Sequence, residues 1–368
     1  MTSTPVPARA VRFTVLVGLV MATIPGAGPS LEAQQAKPAA PSKTAASATD
    51  RMPVWPLPPE QPRIRYLRSY HGVDDFKTRK APKWKSMLLG DDDRDAKPAD
   101  SMVKPYGIAV SKTGRLYVTD TVARRVFVFD SEAKTVSFLG ESGAAKLTKP
   151  VGVAVDGDDN VFVADATANR VFGYAPDGRL LIAIGHEGEL DSPSGLAVDR
   201  ARGLLYVADA RKHQVLCYST KDGSPVRTIG RRGGAAGEFN FPTNLFVDAH
   251  GRLYVTDTMN FRIQVFGADG AFINEFGTQG DTPGSLNRPK GVGVDSEGHV
   301  YVVDSSFNNF QTFDAEGQLL LFVGSVGRGP GEFFLPAGLY VDDRDRIYVA
   351  DQGNARVQVF EYLKAGAR

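Results

Sequence analysis

Four short apolar runs recur in a fixed order along most of this chain. Each run is about five residues long and rich in Val, Ile, Tyr and Phe, as in residues 262–266 (RIQVF). Runs of this length and composition are typical of β-strands and too short for helices. Turns containing Asp-Gly or Asn join the first run to the second and the third to the fourth, and such turns close short hairpins. The pattern therefore predicts four-stranded antiparallel meanders.

The meander occurs six times. In each copy the first run opens with a proline and the second ends with an aspartate; the prolines are Pro105, Pro150, Pro193, Pro242, Pro289 and Pro336. Successive prolines are about 43 to 49 residues apart, which is within the range of propeller blades. A lone meander exposes two faces and two edges, so the units must pack around an axis. We predict an all-β fold, a six-bladed β-propeller of four-stranded antiparallel blades.

The sixth unit has no fourth run, because its third run, residues 356–362, lies close to the last residue of the sequence. Residues 63–72 (RIRYLRSYHG) have the composition of a fourth run. If this segment pairs with residues 356–362, the ring closes without a free edge. The last blade is therefore predicted to be closed by an N-terminal strand.

The first 33 residues have the layout of a secretory signal peptide. Arg9 and Arg12 precede a short apolar run, and small residues follow near Ala33. We expect an exported protein, periplasmic or extracellular. Membrane contact is expected only if this segment remains attached as an uncleaved anchor.

The rest of the chain divides by composition. Within the segment that precedes the repeats, the residues after Pro82 predict a short helix or an exposed loop. The predicted parts are a signal peptide (1–33), a disordered Pro/Ala-rich linker (34–61), the closing strand plus an insertion (62–103), the propeller (104–362) and a C-terminal tail (363–368).

Charge and cysteine content exclude some classes of function. The 43 basic and 42 acidic residues nearly cancel, which removes the electrostatic footprint of a nucleic-acid binder. Cys217 is the single cysteine, so no internal disulfide can form, and its strand position predicts a small core residue. We expect a monomer.

The repeated phrases resemble those of the NHL repeat family. The resemblance is fullest at residues 336–342 (PAGLYVD), 348–351 (YVAD) and 354–360 (NARVQVF), and it covers about residues 104–362. It implies a six-bladed propeller. It implies less about activity, because relatives include interaction modules, sensor domains and a metal-dependent lyase, and one scaffold hosts many functions.

The aspartate that ends the second run is followed in four units by an arginine five residues later. A packing device is needed in every blade, whereas a catalytic pair is needed once, so we interpret these pairs as structural. They are Asp120 with Arg125, Asp165 with Arg170, Asp257 with Arg262, and Asp351 with Arg356.

Departures from the repeat point to one face as the binding face. Both sets of tight turns must lie on one side of the ring, so the longer connections lie on the other. Aromatic and Arg side chains there suit a protein or peptide partner in the cell envelope. The candidate binding residues are Tyr106, Arg211, His213, Asn244, Phe261, Lys290, Phe307 and Asn308. For Phe261 and Phe307, inward packing is an equal alternative.

An enzyme is the alternative hypothesis, namely a metal-dependent lyase or lactonase-like hydrolase with its site at the central channel. No catalytic residue is assigned, because no nucleophile motif stands out and the five histidines are scattered. Asp156, Asp158 and Asn160 have alternate calcium-loop spacing but fill a predicted turn. We therefore expect no cofactor or metal ligands, with a divalent metal in the channel left as the open case.

Overall fold

The computed structural model describes residues 52–77 and 100–364. In this part of the chain the fold is all-β, with six antiparallel sheets and a few short 3₁₀ turns. The predicted signal peptide, residues 34–51 of the predicted linker, the segment after Pro82 and residues 365–368 lie outside the described residues. The predicted six-bladed propeller is confirmed.

Each sheet is one blade, and in five of the six sheets the strands follow one another in chain order. Blades 1 to 3 contain β3 (Pro105–Val110), β4 (Leu116–Asp120), β5 (Arg125–Asp130), β6 (Thr135–Leu139), β7 (Pro150–Val155), β8 (Val161–Asp165), β9 (Arg170–Tyr174), β10 (Leu180–Ile184), β11 (Pro193–Asp199), β12 (Leu204–Asp209), β13 (Gln214–Ser219) and β14 (Pro225–Ile229).

Blades 4 and 5 contain β15 (Pro242–Val247), β16 (Leu253–Asp257), β17 (Arg262–Phe266), β18 (Phe272–Phe276), β19 (Pro289–Val294), β20 (Val300–Asp304), β21 (Asn309–Phe313) and β22 (Leu319–Val323). Blade 6 contains β1 (Val54–Trp55), β2 (Ile64–Tyr70), β23 (Pro336–Val341), β24 (Arg346–Asp351) and β25 (Arg356–Tyr362). The 3₁₀ turns are Val73–Phe76, Gly143–Ala145, Thr258–Asn260 and Gln352–Asn354.

The first strand of each blade lines the central channel and contacts the first strands of both neighbouring blades. Close approach of these strands explains the glycine two residues after the opening proline. A Cβ atom on Gly152 would collide with the carbonyl oxygen of Ser194, and one on Gly338 with that of Tyr106. Apolar side chains of the next strands fill the space between adjacent blades.

The ring is closed by the N-terminal strand β2, as the sequence predicts. β2 pairs antiparallel with β25, from Ile64 opposite Tyr362 to Tyr70 opposite Val357. The last blade thus contains both ends of the described chain.

Two details of this blade differ from the prediction. The linker was predicted to extend to residue 61, but Val54–Trp55 already forms β1, a fifth strand on the outer side of β2. The Trp55 ring packs edge-on against Phe360 at 5.8 Å between centroids. This apolar contact holds β1 on the blade, and the five-stranded sheet differs from the predicted four.

The two faces of the ring are built from different connections. Tight hairpins join the first to the second strand in every blade and the third to the fourth strand in blades 1 to 5, and they lie on what we call the hairpin face. The turns after the second strands and the connections between blades lie on the opposite side, the loop face. This follows from the alternating strand direction in each meander.

Candidate binding face

The recurrent aspartates are fully buried and organise the loop face. In blades 1, 2 and 5 the carboxylate accepts four backbone N–H groups, two from the connection before the blade and two from the turn after the aspartate. Around Asp120 these N–H···O distances are 2.6 to 3.0 Å. Each aspartate therefore ties together the two loops of its blade.

Two of the four predicted Asp–Arg pairs are buried ion pairs. Arg262 Nε lies 2.9 Å from Asp257 Oδ2, and Arg356 Nε lies 2.7 Å from Asp351 Oδ2. Both guanidinium groups also donate to carbonyl oxygens of the preceding inter-blade loop. In blade 1, Arg125 Nη1 lies 2.8 Å from Glu141, and in blade 2 Arg170 is exposed.

The residue before the opening proline divides the blades into two groups. In blades 1, 2 and 5 its N–H is donated to the buried aspartate. In blades 3, 4 and 6 this residue has a positive φ, of 80° at Ser192, 55° at Phe241 and 51° at Leu335. Its N–H is donated instead to a side chain of the preceding blade, and the respective acceptors are Asn169, His213 and Asn308, at 3.0, 3.2 and 2.9 Å.

The acceptor side chain accounts for this grouping. The last residue of the turn after the second strand has a positive φ in every blade; these residues are Arg124, Asn169, His213, Phe261, Asn308 and Ala355. Only the Asn and His side chains in this set offer an acceptor. Blades 3, 4 and 6 follow these Asn and His residues around the ring. In these blades the residue before the opening proline donates its N–H to the Asn or His side chain instead of to the aspartate.

This arrangement exposes large apolar side chains on the loop face. Phe241 and Leu335 are 42% and 43% exposed, and the backbone N–H of each residue is hydrogen-bonded to a side chain of the preceding blade. Met259 and Phe334 are also exposed. The Met259 N–H donates to the carbonyl of Asn240, the residue before Phe241, and Phe334 directly precedes Leu335. We call the set Phe241, Met259, Val326, Phe334 and Leu335 the apolar loop patch; Phe241 and Met259 belong to loops of blade 4, and the other three to the connection between blades 5 and 6.

The sequence-based candidates take several different places. His213 and Asn308 are two of the acceptor side chains described above, which bind the N–H groups of Phe241 and Leu335. The His213 ring also packs against the Phe241 ring, with 4.6 Å between the ring centroids. Arg211 is exposed on the loop face, 3.6 Å from Asp191 Oδ1. Phe261 packs against the core, whereas Phe307 is partly buried and lines a surface groove in blade 5.

None of the apolar loop patch is among the sequence-based candidates. One signal could have found two of its residues, because the residue before the opening proline is polar in four blades and apolar only at Phe241 and Leu335. The inward packing of Phe261 is the alternative that the sequence left open, and the structure shows it.

Tyr106, Asn244 and Lys290 lie in the first strands and so belong to the channel at its loop-face end. Burial raises the pKa of Tyr106 to about 12. Burial lowers the pKa of Lys290, and the charge of Arg288 lowers it further. Asn244 is buried where the other five blades have glycine. This end of the channel is polar and basic.

The hairpin-face end of the channel is covered by Arg200, which reaches across it from blade 3. Its guanidinium donates to the Val110 carbonyl of blade 1 at 2.7 Å and to Tyr340 Oη of blade 6 at 3.3 Å. A cavity of about 390 Å³ lies in this part of the channel, lined by apolar first-strand residues and by aspartates of the hairpins. Four of those aspartates cap their own turns, whereas Asp343 lies 3.5 Å from Arg200 and Asp345 accepts hydrogen bonds from Ser296 of blade 5.

Metal ligands are not gathered in the part of the chain that the structure describes, where no group of three or more His, Cys, Asp or Glu could hold a metal ion. Asp156 accepts N–H bonds from Asp158 and Asn160 within its own hairpin, which is turn chemistry. Cys217 is buried in β13.

Comparison with known protein families agrees with the fold. The NHL repeat model matches residues 190–218 and 335–360, and a 6-bladed beta-propeller model matches residues 247–320. The SMP-30/Gluconolactonase/LRE-like region matches residues 68–186. Repeats and architecture together define the class: the chain is a six-bladed β-propeller that contains NHL repeats, and part of it is similar to the SMP-30/Gluconolactonase/LRE-like region.

Solved propellers with different functions resemble this chain. Virginiamycin B lyase from Staphylococcus aureus is 13% identical with a TM-score of 0.54, over 71% of this chain and 81% of that chain. A gluconolactonase from Xanthomonas campestris is 21% identical with a TM-score of 0.55, over 71% and 87%. An auxiliary nutrient binding protein from Bacteroides thetaiotaomicron is 15% identical with a TM-score of 0.56, over 72% and 70%. At these identities the likeness shows the fold.

No helix within residues 52–77 and 100–364 is long and apolar enough to cross a membrane.

Proposed function

We propose that this propeller is exported and binds a protein or peptide in the cell envelope through its loop face. The observation that carries the proposal is the apolar loop patch. Large apolar side chains exposed on the loops of one face are a feature of interaction sites, because they supply much of the binding energy when a partner covers them.

The rigidity of the loops supports the same function. A bulky residue with positive φ costs about 1–3 kcal/mol and persists only where its surroundings fix it. Phe241 and Leu335 have this conformation, and side chains of the preceding blades hold their N–H groups. A surface fixed before binding loses little conformational entropy when the partner arrives, which favours affinity.

Truncation of the patch should reduce binding without affecting the fold. We expect the variant Phe241→Ala/Leu335→Ala to lose at least tenfold in affinity, since truncation of an interface anchor costs about 2 kcal/mol or more. The full chain would be used as bait in envelope extract, followed by titration of the captured partner.

Two outer-strand residues provide a matched control. Ile273 and Leu320 are about as exposed as the patch residues but lie in the fourth strands of blades 4 and 5. The variant Ile273→Ala/Leu320→Ala should keep its partner. Equal binding by both double variants, with unchanged melting temperatures, would contradict the proposed face.

A second candidate function is a lyase or lactonase-like hydrolase at the channel, which the match at residues 68–186 favours. Its site would have to use polar residues of the loop-face end, such as Tyr106, Ser194 and Lys290. At the hairpin-face end, four of the six aspartates that line the cavity already accept hydrogen bonds from their own turns.

An assay separates the two candidates. We expect δ-gluconolactone to be hydrolysed at the uncatalysed rate and EDTA to have no effect, because the described residues lack a metal-binding cluster. Turnover above that rate, abolished by EDTA and restored by a divalent cation, would establish the enzyme instead.

A further inference from the structure

Blade 5 has a groove on its loop-face side, next to the apolar loop patch. Its volume is about 310 Å³, and it is lined by Asp281, Thr282, Phe307, Asn309, Phe322 and Val326 among others. Phe322 and Val326 are 49% and 67% exposed. The groove lies beside Asn309, which stands opposite Asp304 in the register of blade 5.

Arginine occupies the position of Asn309 in four other blades. In blades 4 and 6 the guanidinium fills the space between the blade and the preceding loop. Arg262 Nη2 donates to the carbonyls of Ala235 and Glu238, and Arg356 Nη2 to those of Gly329 and Glu332, all at 2.9 Å.

The same loop geometry is present in blade 5 without the arginine. Counted from the glycine that begins each loop, Thr282 and Ser285 correspond to Ala235 and Glu238. The correspondence is also structural, because Gln311 Nε2 donates to the Ser285 carbonyl as Gln264 Nε2 donates to that of Glu238. The acceptors that receive a guanidinium in blades 4 and 6 therefore recur beside the groove.

The aromatic wall of the groove also has a counterpart elsewhere in the chain. Phe322 pairs with Gln311 in blade 5, and Phe138 pairs with Phe127 at the same register position in blade 1. The guanidinium carbon of Arg125 lies 4.7 Å from the centroid of the Phe138 ring. Phe322 therefore offers an aromatic ring at the register position where Phe138 stacks with Arg125 in blade 1.

Polarity favours a cationic donor in the groove. Its lining contains Asp281 and no Lys or Arg. The Oδ1 atom of Asn309 is buried and has no hydrogen-bond partner, which is costly for an acceptor. A planar group with several N–H donors could serve Asn309 and the loop carbonyls together, whereas an ammonium is a compact point charge.

We propose that the blade 5 groove binds the guanidinium of an arginine side chain from the protein or peptide ligand. This rests on the proposed function, since the ligand on the loop face supplies the arginine. The groove would add specificity to the apolar loop patch, which borders it through Val326.

The test uses N-acetyl-L-arginine amide as the probe, titrated against the full chain by ligand-observed NMR. We expect saturable binding in the millimolar range and at least tenfold weaker binding of N-acetyl-L-lysine amide. Equal binding of the two amides would overturn the inference.

Asn309→Arg should fill the groove from within the chain, abolish probe binding and raise the melting temperature. Thr167→Arg adds the same charge at an exposed turn of blade 2 and should leave probe binding within about threefold. Phe322→Ala changes an exposed wall residue and should weaken probe binding at least threefold. Unchanged probe binding in both groove variants would contradict the site.

The pull-down separates this inference from the proposed function. A captured partner without probe binding would refute the groove and leave the binding function standing. Probe binding without any captured partner would refute the envelope-binding function and leave the guanidinium site standing.

Discussion

Deletion of residues 52–72 should abolish cooperative folding of the propeller. Within this segment β2 buries Ile64 completely and Tyr70 almost completely, and β25 loses its outer partner when β2 is removed. Burial of each large apolar side chain contributes about 1.5–3 kcal/mol. Exposure of Phe360 and its neighbours on β25 would add to this loss, so the total is comparable with the entire stability of a domain, about 5–15 kcal/mol.

Circular dichroism during heating would measure this effect. Deletion of residues 34–50, which lie before β1, is the matched control and should leave the transition unchanged. On a finer scale Ile64→Ala should lower the free energy of unfolding by about 2–5 kcal/mol. Arg65, the next residue of the same strand, makes only an exposed ion pair with Glu361, so Arg65→Ala should cost about 0–1 kcal/mol. A cooperative transition at the original temperature after deletion of 52–72 would refute closure by β2.

The propeller and its closure could be predicted because their signals repeat. Proline and aspartate recur at the same place in every unit, and glycine does so in five of the six. Because the sixth unit lacks a fourth run, residues 63–72 could be assigned as its missing strand. β1 has no such signal. It is two residues long, lies between Pro53 and Pro56, and is held by the contact of Trp55 with Phe360, which is about 300 residues away in sequence.

The candidate site was predicted less well, because its decisive interactions join different blades. His213 and Asn308 were selected as contact residues, but their side chains position Phe241 and Leu335 in the next blade. The acceptor side chain and the residue that donates its N–H are 27 or 28 residues apart and belong to different units, so neither unit by itself indicates the hydrogen bond. Phe241 and Leu335 are positioned by a hydrogen bond to a His or Asn side chain of the preceding blade, and this contact exists only when the two blades are packed together.

The buried Asp351–Arg356 pair yields the second large effect. Arg356 is nine-tenths buried and donates to Asp351 as well as to the carbonyls of Arg328, Gly329 and Glu332. Arg356→Ala would leave a buried carboxylate without its cation, and the three carbonyls would each lose one donor. Removal of one partner from a buried ion pair costs about 3–5 kcal/mol.

Arg170 is the matched control for this prediction, because it occupies the same position in blade 2 but is exposed. Arg170→Ala should change the free energy of unfolding by no more than about 0.5 kcal/mol, as is usual for surface substitutions. Urea unfolding of the two variants and the wild type would measure the difference. If both substitutions cost the same, burial of the guanidinium would not be what stabilises the loop face. A large effect of Arg356→Ala alone would mean that the repeated Asp–Arg motif stabilises the fold only in some blades. In those blades the arginine replaces one backbone N–H group as a donor to the aspartate.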